Sequence, residues 1–316
     1  MSTIAVDAMG GDSAPEEVVK GAILAKKEGV DVILSGDENL IKSYLGNEKI
    51  PVINYPQVIS MDDDPARAIR SNKDSSIIGA LNLVKEKKAD AVFSAGSTGA
   101  TLIGAISVLG KIKGVTRPTI ASVLPGKEKE VILVDSGANL EVKPKVLYQF
   151  AIMGSKLSEL LFDIENPRIG LINNGEESSK GRELEKSTFK LLKSSQLNFI
   201  GNVEGKDFAN SKVDVFVTDG FTGNVVLKTL QGVAKLQQDL ISKSLKENLF
   251  KPLLVPVKSM LNPNSTNGSY LLGVNGLVII GHGSSNSEAI KNALLFTSRA
   301  VEKRFINKFT EVSSEL

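Results

Sequence analysis

Residues Val213–Lys228 read VDVFVTDGFTGNVVLK and combine a strand, a turn and the start of a helix. The β-branched and aromatic run Val213–Val217 predicts a buried strand. A polar turn with two glycines follows, and from Asn224 the apolar residues fall at helical spacing. A strand that leads through such a turn into a helix is half of a parallel α/β unit. Its turn lies at the carboxyl end of the sheet, where the free N–H groups of the helix start favour an anion.

The same pattern of a strand followed by a turn of small polar residues occurs five more times. The strands are Ile4–Asp7, Val92–Ala95, Val131–Val134, Ile169–Ile172 and Leu277–Ile280. If these strands join one mostly parallel sheet, the six turns converge along one edge of it. We therefore predict an α/β fold whose active site is a crevice lined by Gly, Ser, Thr, Asn and Asp.

Composition excludes several classes of function. Hydrophobic residues make up 41% and charged residues 23% of the chain, as in a globular protein with a proper core. A net charge of +2 and 5% aromatic residues argue against nucleic acid as a partner. The absence of cysteine excludes disulfides, thiolate metal sites and an acyl-cysteine intermediate, and one histidine leaves no His-rich metal cluster.

The sequence predicts a single domain and a cytoplasmic location. No Ser/Gly-rich linker interrupts it, so residues 1–316 are predicted to form a single α/β catalytic domain. The start of the chain lacks a signal pattern, and no apolar run approaches about 18 residues, so we expect a cytoplasmic protein. Pro125–Glu128 joins two strands, Thr119–Leu124 and Val131–Asp135, and predicts a hairpin within the otherwise parallel arrangement.

An apolar helical excursion at about 235–275 differs from the rest of the chain. Its segment Leu249–Leu261 is apolar almost all round, is broken by two prolines and carries only positive charge. One interpretation is a dimer interface or ordinary core. The other is an exposed tip that enters a membrane surface, with its two lysines near anionic headgroups. The two interpretations are compatible if a dimer presents the tip.

Three nucleotide and hydrolase signatures are incomplete or missing. Gly281–Asn286 (GHGSSN) follows a strand as a dinucleotide fingerprint does, but it lacks the third glycine, so no NAD is expected. There is no G-x-x-x-x-G-K-[ST] loop and no G-x-S-x-G elbow. We expect neither a cofactor nor a metal.

Seven motifs in order along the chain resemble the PlsX family, the acyl-acyl carrier protein:phosphate acyltransferases of bacterial phospholipid synthesis. They are DAMGGD at Asp7–Asp12, SAGSTGA at Ser94–Ala100, VDSGAN at Val134–Asn139, NNGEESSKG at Asn173–Gly181, GNVEG at Gly201–Gly205, TDGFTGNVVLK at Thr218–Lys228 and GHGSSN at Gly281–Asn286.

The resemblance implies a reaction, a fold and partners. A fatty acyl group would pass from the thioester of acyl carrier protein to inorganic phosphate, and the acyl phosphate would feed a membrane glycerol-3-phosphate acyltransferase. The implied fold is a three-layer α/β/α sandwich with a mostly parallel sheet, as in phosphotransacetylase and isocitrate dehydrogenase. The implied assembly is a homodimer that associates peripherally with the membrane.

The residues agree with this chemistry, because a phosphate dianion needs charge neutralisation and orientation more than it needs a base. Lys180, in a Ser/Gly turn at a helix start, is the best candidate cation. Asn224 caps its helix in this interpretation, and its amide could donate to the thioester oxyanion. Asp135 and Asp219 could position Lys180 or a phosphate proton, although such aspartates often only form turns. His282 could protonate the leaving thiolate, or it could be a structural hydrogen-bonding group.

Further residues of the six turns are candidates for substrate and phosphate binding, and apolar residues of the excursion are candidates for membrane contact. The binding candidates are Asp7, Gly10, Gly11, Ser97, Thr98, Ser136, Asn139, Asn174, Gly220, Thr222, Gly223 and Ser284. The membrane candidates are Phe250, Leu253, Leu254 and Val257.

Two other functions remain open at this point. One is a phosphotransacetylase that acts on acyl-CoA, because the fold and the anion-binding logic are shared. The other is a non-catalytic scaffold that binds acyl groups or anions at the membrane. The concentration of polar groups at six turns argues against the scaffold.

Overall fold

The computed structural model describes residues 2–210, 212–244 and 268–314, which belong to two compact units. Met1–Ile120 and Asn267–Leu316 form the first unit, and Ala121–Thr266 form the second. Strands and helices alternate along most of the chain, as the sequence predicts for an α/β fold. In order they are β1 (Thr3–Asp7), α1 (Glu16–Lys27), β2 (Asp31–Gly36), α2 (Glu38–Leu45), β3 (Val52–Asn54), α3 (Pro65–Ser71), α4 (Ser76–Lys85), β4 (Ala91–Ser94), α5 (Thr98–Leu109), β5 (Thr119–Leu124), β6 (Val131–Val134), α6 (Pro144–Phe162), β7 (Ile169–Ile172), α7 (Glu183–Lys193), β8 (Phe199–Val203), β9 (Val215–Val217), α8 (Gly220–Ser244), β10 (Ser269–Leu272), β11 (Leu277–Ile280), α9 (Ser287–Glu302) and α10 (Phe305–Thr310).

In the first unit the strand order is β3-β2-β1-β4-β11-β10, and every pair except β11-β10 is parallel. Ser94 of β4 lies in register with Asp7 of β1 and with Ile280 of β11. The turns that follow these three strands therefore leave the sheet at the same edge. This confirms the predicted convergence for three of the six turns.

Helices cover the strands of the first unit in two groups. One group contains α1, α2 and α9, and the other contains α3, α4 and α5. Gly21 lets α1 approach α9 closely, since a Cβ atom there would lie 2.6 Å from the side chain of Ile290. The strands β1, β4 and β11 are buried almost completely, as parallel strands covered by helices require.

In the second unit the strand order is β5-β6-β9-β7-β8. The antiparallel pair β5-β6 confirms the predicted hairpin, and the other pairs are parallel. Because β6, β9 and β7 are neighbours, the turns after them again share one edge. The sequence pattern did not predict β8, in which Gly201 has a φ of +123° and interrupts the β-branched run.

Helix α8 exposes a stripe of apolar side chains among the residues whose side chains are described. Their exposed fractions range from 37% to 61%, and they are Phe221, Val225, Leu230, Val233, Leu236 and Leu240. The predicted membrane residues Phe250, Leu253, Leu254 and Val257 lie outside the described residues. Within the described ranges, no helix combines the length and the apolar content needed to cross a bilayer.

A buried aspartate ties the start of β9 to neighbouring basic groups in the second unit. The side chain of Asp214 is 2% exposed and accepts hydrogen bonds from the backbone N–H of Arg168 at 2.7 Å and from its Nη2 at 3.1 Å. Lys129 Nζ lies 2.5 Å from the same carboxylate. Burial alone would raise the pKa of Asp214, but Arg168 and Lys129 outweigh burial and lower it.

Asp214→Asn should therefore lower the free energy of unfolding by about 1.5–3 kcal/mol at neutral pH, the range for hydrogen bonds to charged groups. Because the pKa is lower in the folded state, this stability is present above the unfolded pKa and is lost as pH falls through the folded value. Urea unfolding at pH 7 and in acid measures both effects. The exposed Asp239→Asn is the matched control, and an equal midpoint for both variants would contradict the prediction.

Candidate active site

Backbone contacts hold the three turns of the first unit together. The N–H of Asp12 donates to the carbonyl of Gly283 at 2.8 Å, and the N–H of Gly281 donates to the carbonyl of Ser94 at 2.8 Å. Gly10 lies against the turn after β4, where a Cβ atom would be 2.7 Å from the N of Gly96. Position 10 must be glycine, because the backbone of the turn after β4 occupies the space that a side chain would need.

Asp7 ends β1 beneath these turns and is 3% exposed. The Ser94 hydroxyl donates to Asp7 Oδ2 at 2.6 Å and accepts from the N–H of Gly96 at 3.1 Å. Asp7 Oδ1 has no hydrogen-bond partner among the described residues. Burial raises the pKa of Asp7, although the hydroxyls of Ser76 and Ser94 and the backbone N–H groups of Met9 and Gly10 near the carboxylate oppose this shift.

Asp7 also lines a cleft at the starts of two helices. Ser76 and Ile77 begin α4 there, while Ser97 caps α5 by accepting from the N–H of Ala100 at 3.4 Å. The positive ends of two helix dipoles therefore lie at the cleft. Thr101, Met9, Ile59, Ala100, Gly10 and Gly96 complete the lining.

The third turn of the first unit carries His282, which is exposed. Its Nδ1 lies 2.9 Å from Ser284 Oγ within the same turn. The candidates Thr98 and Ser284 are also exposed, and Gly11 has a φ of +123°, a value that favours glycine. The first unit thus assembles seven of the predicted site residues, namely Asp7, Gly10, Gly11, Ser97, Thr98, His282 and Ser284.

In the second unit, Asp135 follows β6 and folds the turn around itself. Its Oδ1 accepts from the N–H groups of Gly137 at 3.0 Å and Ala138 at 2.8 Å. Its Oδ2 accepts from the N–H and the side-chain amide of Asn139, both at 2.8 Å. The side chain is fully buried, and this burial raises its pKa against the effect of those donors. These contacts favour the turn-forming interpretation of Asp135.

Helix α8 begins at Gly220, so its N-cap lies five residues before Asn224, the N-cap that the sequence predicts. Asp219 holds that position, since its Oδ1 accepts from the N–H of Thr222 at 2.9 Å. The prediction was wrong because Gly220 and Gly223 are typical of a turn. In the structure both belong to the helix. A Cβ atom on Gly223 would lie 1.8 Å from the carbonyl oxygen of Asp135, and one on Gly220 would lie 2.7 Å from the backbone of Asn139.

The Asn224 amide reaches the turn after β6 instead. Its Nδ2 donates to the carbonyl of Ser136 at 3.3 Å. Ser136 is buried, and its hydroxyl lies 2.8 Å from that of Ser122. The Asn224 amide therefore lies between the turn after β6 and the start of α8.

Lys180 is exposed in the turn after β7. Asn173 Nδ2 donates to the carbonyl of Lys180 at 3.2 Å, and the N–H of Lys180 donates to the carbonyl of Glu177 at 3.0 Å. The backbone that carries the lysine is therefore fixed. Glu176 of the same turn forms an ion pair with Lys212 at 3.1 Å.

Arg182, which no sequence motif had indicated as a site residue, connects this turn to α8. Its guanidinium donates to Asp219 Oδ2 and, through Nε at 3.0 Å, to Glu185 Oε1. Both carboxylates are buried, and the hydrogen bond to Glu185, followed by the one to Asp219, raises the pKa of Arg182. Its position directly after Lys180 and Gly181 was the only signal in the sequence, because Asp219 lies 37 residues away.

Comparisons with known proteins agree over nearly the whole chain. The model of a family described as "Fatty acid synthesis protein" matches residues 2–308. The phosphate acyltransferase of Halothermothrix orenii is 43% identical over 96% of each chain. That of Pelotomaculum thermopropionicum is 45% identical over 96% of this chain and 92% of its own.

Solved structures show the same fold. EutD phosphotransacetylase from Staphylococcus aureus superposes with a TM-score of 0.64 and 19% identity, covering 94% of this chain and 93% of its own. A branched-chain phosphotransacylase from Enterococcus faecalis superposes with a TM-score of 0.62 and 17% identity, covering 95% and 99%.

Proposed function

The chain belongs to the family of fatty acid synthesis proteins that includes the phosphate acyltransferases, and we propose that it transfers a fatty acyl group from acyl carrier protein to inorganic phosphate. The observation that carries this proposal is the identity of 43% over 96% of both chains to a phosphate acyltransferase. A phosphate oxygen attacks the thioester carbonyl and the C–S bond breaks. The products are an acyl phosphate and the carrier thiolate, which takes up a proton.

The turns of both units are proposed to bind the substrates through hydroxyl, amide and backbone N–H groups. Ser136 and Asn139 are buried in the turn after β6, and Gly220 and Thr222 lie at the start of α8, where N–H groups favour an anion. Gly223 lets the start of α8 lie close to the backbone of Asp135. Asn174 lies in the turn after β7. In the first unit the turn candidates Asp7, Gly10, Gly11, Ser97, Thr98 and Ser284 are proposed to do the same.

Three side chains are proposed to carry the chemistry, and two aspartates are proposed to position them. Lys180 neutralises charge on the phosphate, and the Asn224 amide donates to the oxyanion that forms when the carbonyl is attacked. His282 protonates the leaving thiolate. Asp135 and Asp219 act indirectly: Asp135 folds the turn that Asn224 contacts, and Asp219 starts the helix that carries Asn224.

The test of function is acyl phosphate formation from a long-chain acyl-acyl carrier protein, with phosphate present or omitted. We expect turnover that depends on phosphate and is faster than with the same acyl group on CoA. Preference for the CoA thioester would favour a phosphotransacetylase, and the absence of any phosphate-dependent turnover would favour a non-catalytic scaffold.

A homodimer on the cytoplasmic membrane surface is proposed as the assembly. The exposed apolar stripe of α8, which includes Leu236 and Leu240, supports contact with a second copy because large exposed apolar patches mark interaction sites. The segment Leu249–Leu261, which lies outside the described residues, is apolar and positively charged in sequence, and this composition supports a tip that enters the membrane surface. Acyl phosphate made there reaches a membrane glycerol-3-phosphate acyltransferase without crossing the cytoplasm.

Leu254→Glu should strongly reduce binding to anionic liposomes and leave the dimer and its acyl transfer intact. Each lysine of the tip gains about 1 kcal/mol from anionic lipid, and a dimer presents two tips, so an acid among the apolar groups removes a large share of the attachment. Liposome co-sedimentation and analytical ultracentrifugation measure the two properties. Leu191→Glu makes the same change at an exposed position of α7 and is the control.

Two outcomes would contradict the proposed tip. Unfolding or dissociation of Leu254→Glu would place this residue in the core or the dimer interface. Unchanged liposome binding by a folded variant would show that the anchor lies elsewhere.

A further inference from the structure

Two ion pairs join the neighbouring parallel strands β7 and β9 of the second unit, one at each end. At the starts of the strands, the guanidinium of Arg168 contacts Asp214, whose side chain is 2% exposed. After their carboxyl ends, the guanidinium of Arg182 contacts Asp219, whose side chain is also 2% exposed. Of the two pairs, the second joins turns that are proposed to bind substrate and carry the chemistry.

Glu185, in the first turn of α7, fixes the conformation of Arg182. Its Oε2 accepts from the backbone N–H of Arg182 at 2.7 Å, and its Oε1 accepts from Nε at 3.0 Å. In the same conformation, Nη2 of the guanidinium donates to Asp219 Oδ2. The planar fork of arginine can bridge two carboxylates in this way, whereas the compact ammonium of lysine cannot reproduce the geometry.

The arginine end of this link is coupled to Lys180 through a single residue. Gly181 lies between them with a φ of +91°, and a Cβ atom there would lie 2.6 Å from Asn173 Oδ1. Asn173 also donates through Nδ2 to the carbonyl of Lys180 at 3.2 Å. Because the chain is packed this tightly at Gly181, a displacement of Arg182 also displaces the backbone of Lys180.

The aspartate end of the link is coupled to Asn224. Asp219 caps α8, since its Oδ1 accepts from the N–H of Thr222 at 2.9 Å and its Oδ2 accepts from the Thr222 hydroxyl at 2.9 Å. The next N–H, that of Gly220, donates to the carbonyl of Asn139 at 2.8 Å. Asn224 follows within the same helix, so the position of Asp219 determines where the Asn224 amide lies.

We propose that Arg182 is a positioning residue, which holds Lys180 and Asn224 in the relative arrangement that acyl transfer requires. The inference rests on the proposed function, in which the cation faces the attacking phosphate and the amide faces the carbonyl oxygen of the same reacting centre. The link through Asp219 supplies that alignment before the substrates bind. Arg182 is not assigned to the phosphate itself, because its one positive charge already faces two carboxylates.

Arg182→Met should lower the kcat of acyl transfer about 10- to 100-fold, the cost of a small misplacement of reacting groups. The KM for phosphate should change by less than about threefold, because Lys180 is still present to bind the anion. Arg182→Lys keeps the charge without the planar fork and should recover part of kcat. Steady-state kinetics of the full chain, with a long-chain acyl-acyl carrier protein and varied phosphate, measure both constants.

Asp219→Asn breaks the link at its other end. The new side chain keeps an oxygen that accepts from the N–H of Thr222, so α8 keeps its cap. This variant should lower kcat by a similar factor. The double variant, Arg182→Met with Asp219→Asn, should be within about threefold of either single variant, because both changes break the same link. If Arg182→Met does not fold, Asp219→Asn and Arg182→Lys decide the question.

Arg168→Met is the matched control, since it removes a guanidinium from an equally buried aspartate at the other end of the same strands. It should lower stability but leave kcat unchanged while the protein is folded. Three results would overturn the proposal. They are a normal kcat in folded Arg182→Met and Asp219→Asn, a raised KM for phosphate at normal kcat, which would indicate direct contact with phosphate, and an equal loss of kcat in Arg168→Met.

The failure of this inference is distinguishable from the failure of the proposed function. Acyl transfer that does not respond to loss of Arg182 would reject the positioning role and leave the reaction in place. If the wild-type protein forms no acyl phosphate, the reaction is rejected, and hydrogen exchange tests the link. The N–H of Lys180, which donates to the carbonyl of Glu177, should then exchange faster in Arg182→Met than in Arg168→Met. Equal exchange in both variants would reject the link as well.

Discussion

Lys180→Ala should lower acyl transfer by about 10²–10³-fold, the usual cost of removing one group that stabilises charge in the reaction. The lysine is exposed in a turn whose backbone is held by Asn173 and Glu177, so its loss should leave the fold unchanged. Exposed substitutions usually change the free energy of unfolding by less than about 0.5 kcal/mol. The effect should be largest at low phosphate, where binding of the anion limits the rate.

The measurement is steady-state turnover against phosphate concentration, with thermal unfolding of each variant. Lys190→Ala, an exposed lysine of α7, removes the same charge away from the turn and should keep full activity. Lys180→Arg retains the charge and should recover part of the rate. Turnover by Lys180→Ala that is close to normal at low phosphate would reject Lys180 as the phosphate cation.

Asn224→Asp should lower turnover by about 10²–10³-fold while the protein remains folded. The substitution replaces the donor proposed for the oxyanion with a negative charge. Helix α8 keeps its cap, because the cap is Asp219. The lost hydrogen bond to the Ser136 carbonyl costs about 0.5–1.5 kcal/mol, and an acid in the first turns of a helix offsets part of this.

Gln196→Glu makes the same change from amide to acid at an exposed position and is the matched control. Turnover and urea unfolding are compared for the two variants. An active Asn224→Asp protein would reject the oxyanion role. Loss of the folded state would assign Asn224 to the packing of the turn after β6.

The strands were predictable because burial on both faces requires a short, continuous run of apolar or small residues. Four apolar or small residues in a row end at a turn signal in β4, β6, β7 and β11. The turns that follow were predictable for the same reason, and each unit brings its three turns to one sheet edge. Parallel pairing is sufficient to explain that convergence.

The start of α8 was not predictable, because glycine has two uses that look alike in sequence. Gly220 and Gly223 were interpreted as turn residues that need conformational freedom. In the structure both are helical, and they are glycine because the backbone of another turn occupies the space of a side chain. That contact joins residues about 80–90 positions apart, which no local pattern reveals.

Ion pairs between residues that are far apart in the sequence could not be predicted for the same reason. Asp219 was expected to position Lys180 or a phosphate proton, whereas in the structure Arg182 contacts Asp219. Which of two neighbouring basic residues reaches a carboxylate depends on the direction of the chain at Gly181, whose φ is +91°. The site was therefore predictable as a set of turns but not as a set of contacts.

The buried carboxyl group of Asp7 places the role proposed for it in substrate binding in opposition to heat resistance. Its pKa is raised in the folded protein, so its contribution to stability is present below the unfolded pKa and is lost as pH rises through the folded value. At neutral pH the acid therefore weakens the fold that holds it. A laboratory selection for thermostability alone should therefore enrich substitutions at codon 7, at the expense of a residue proposed to bind the substrate.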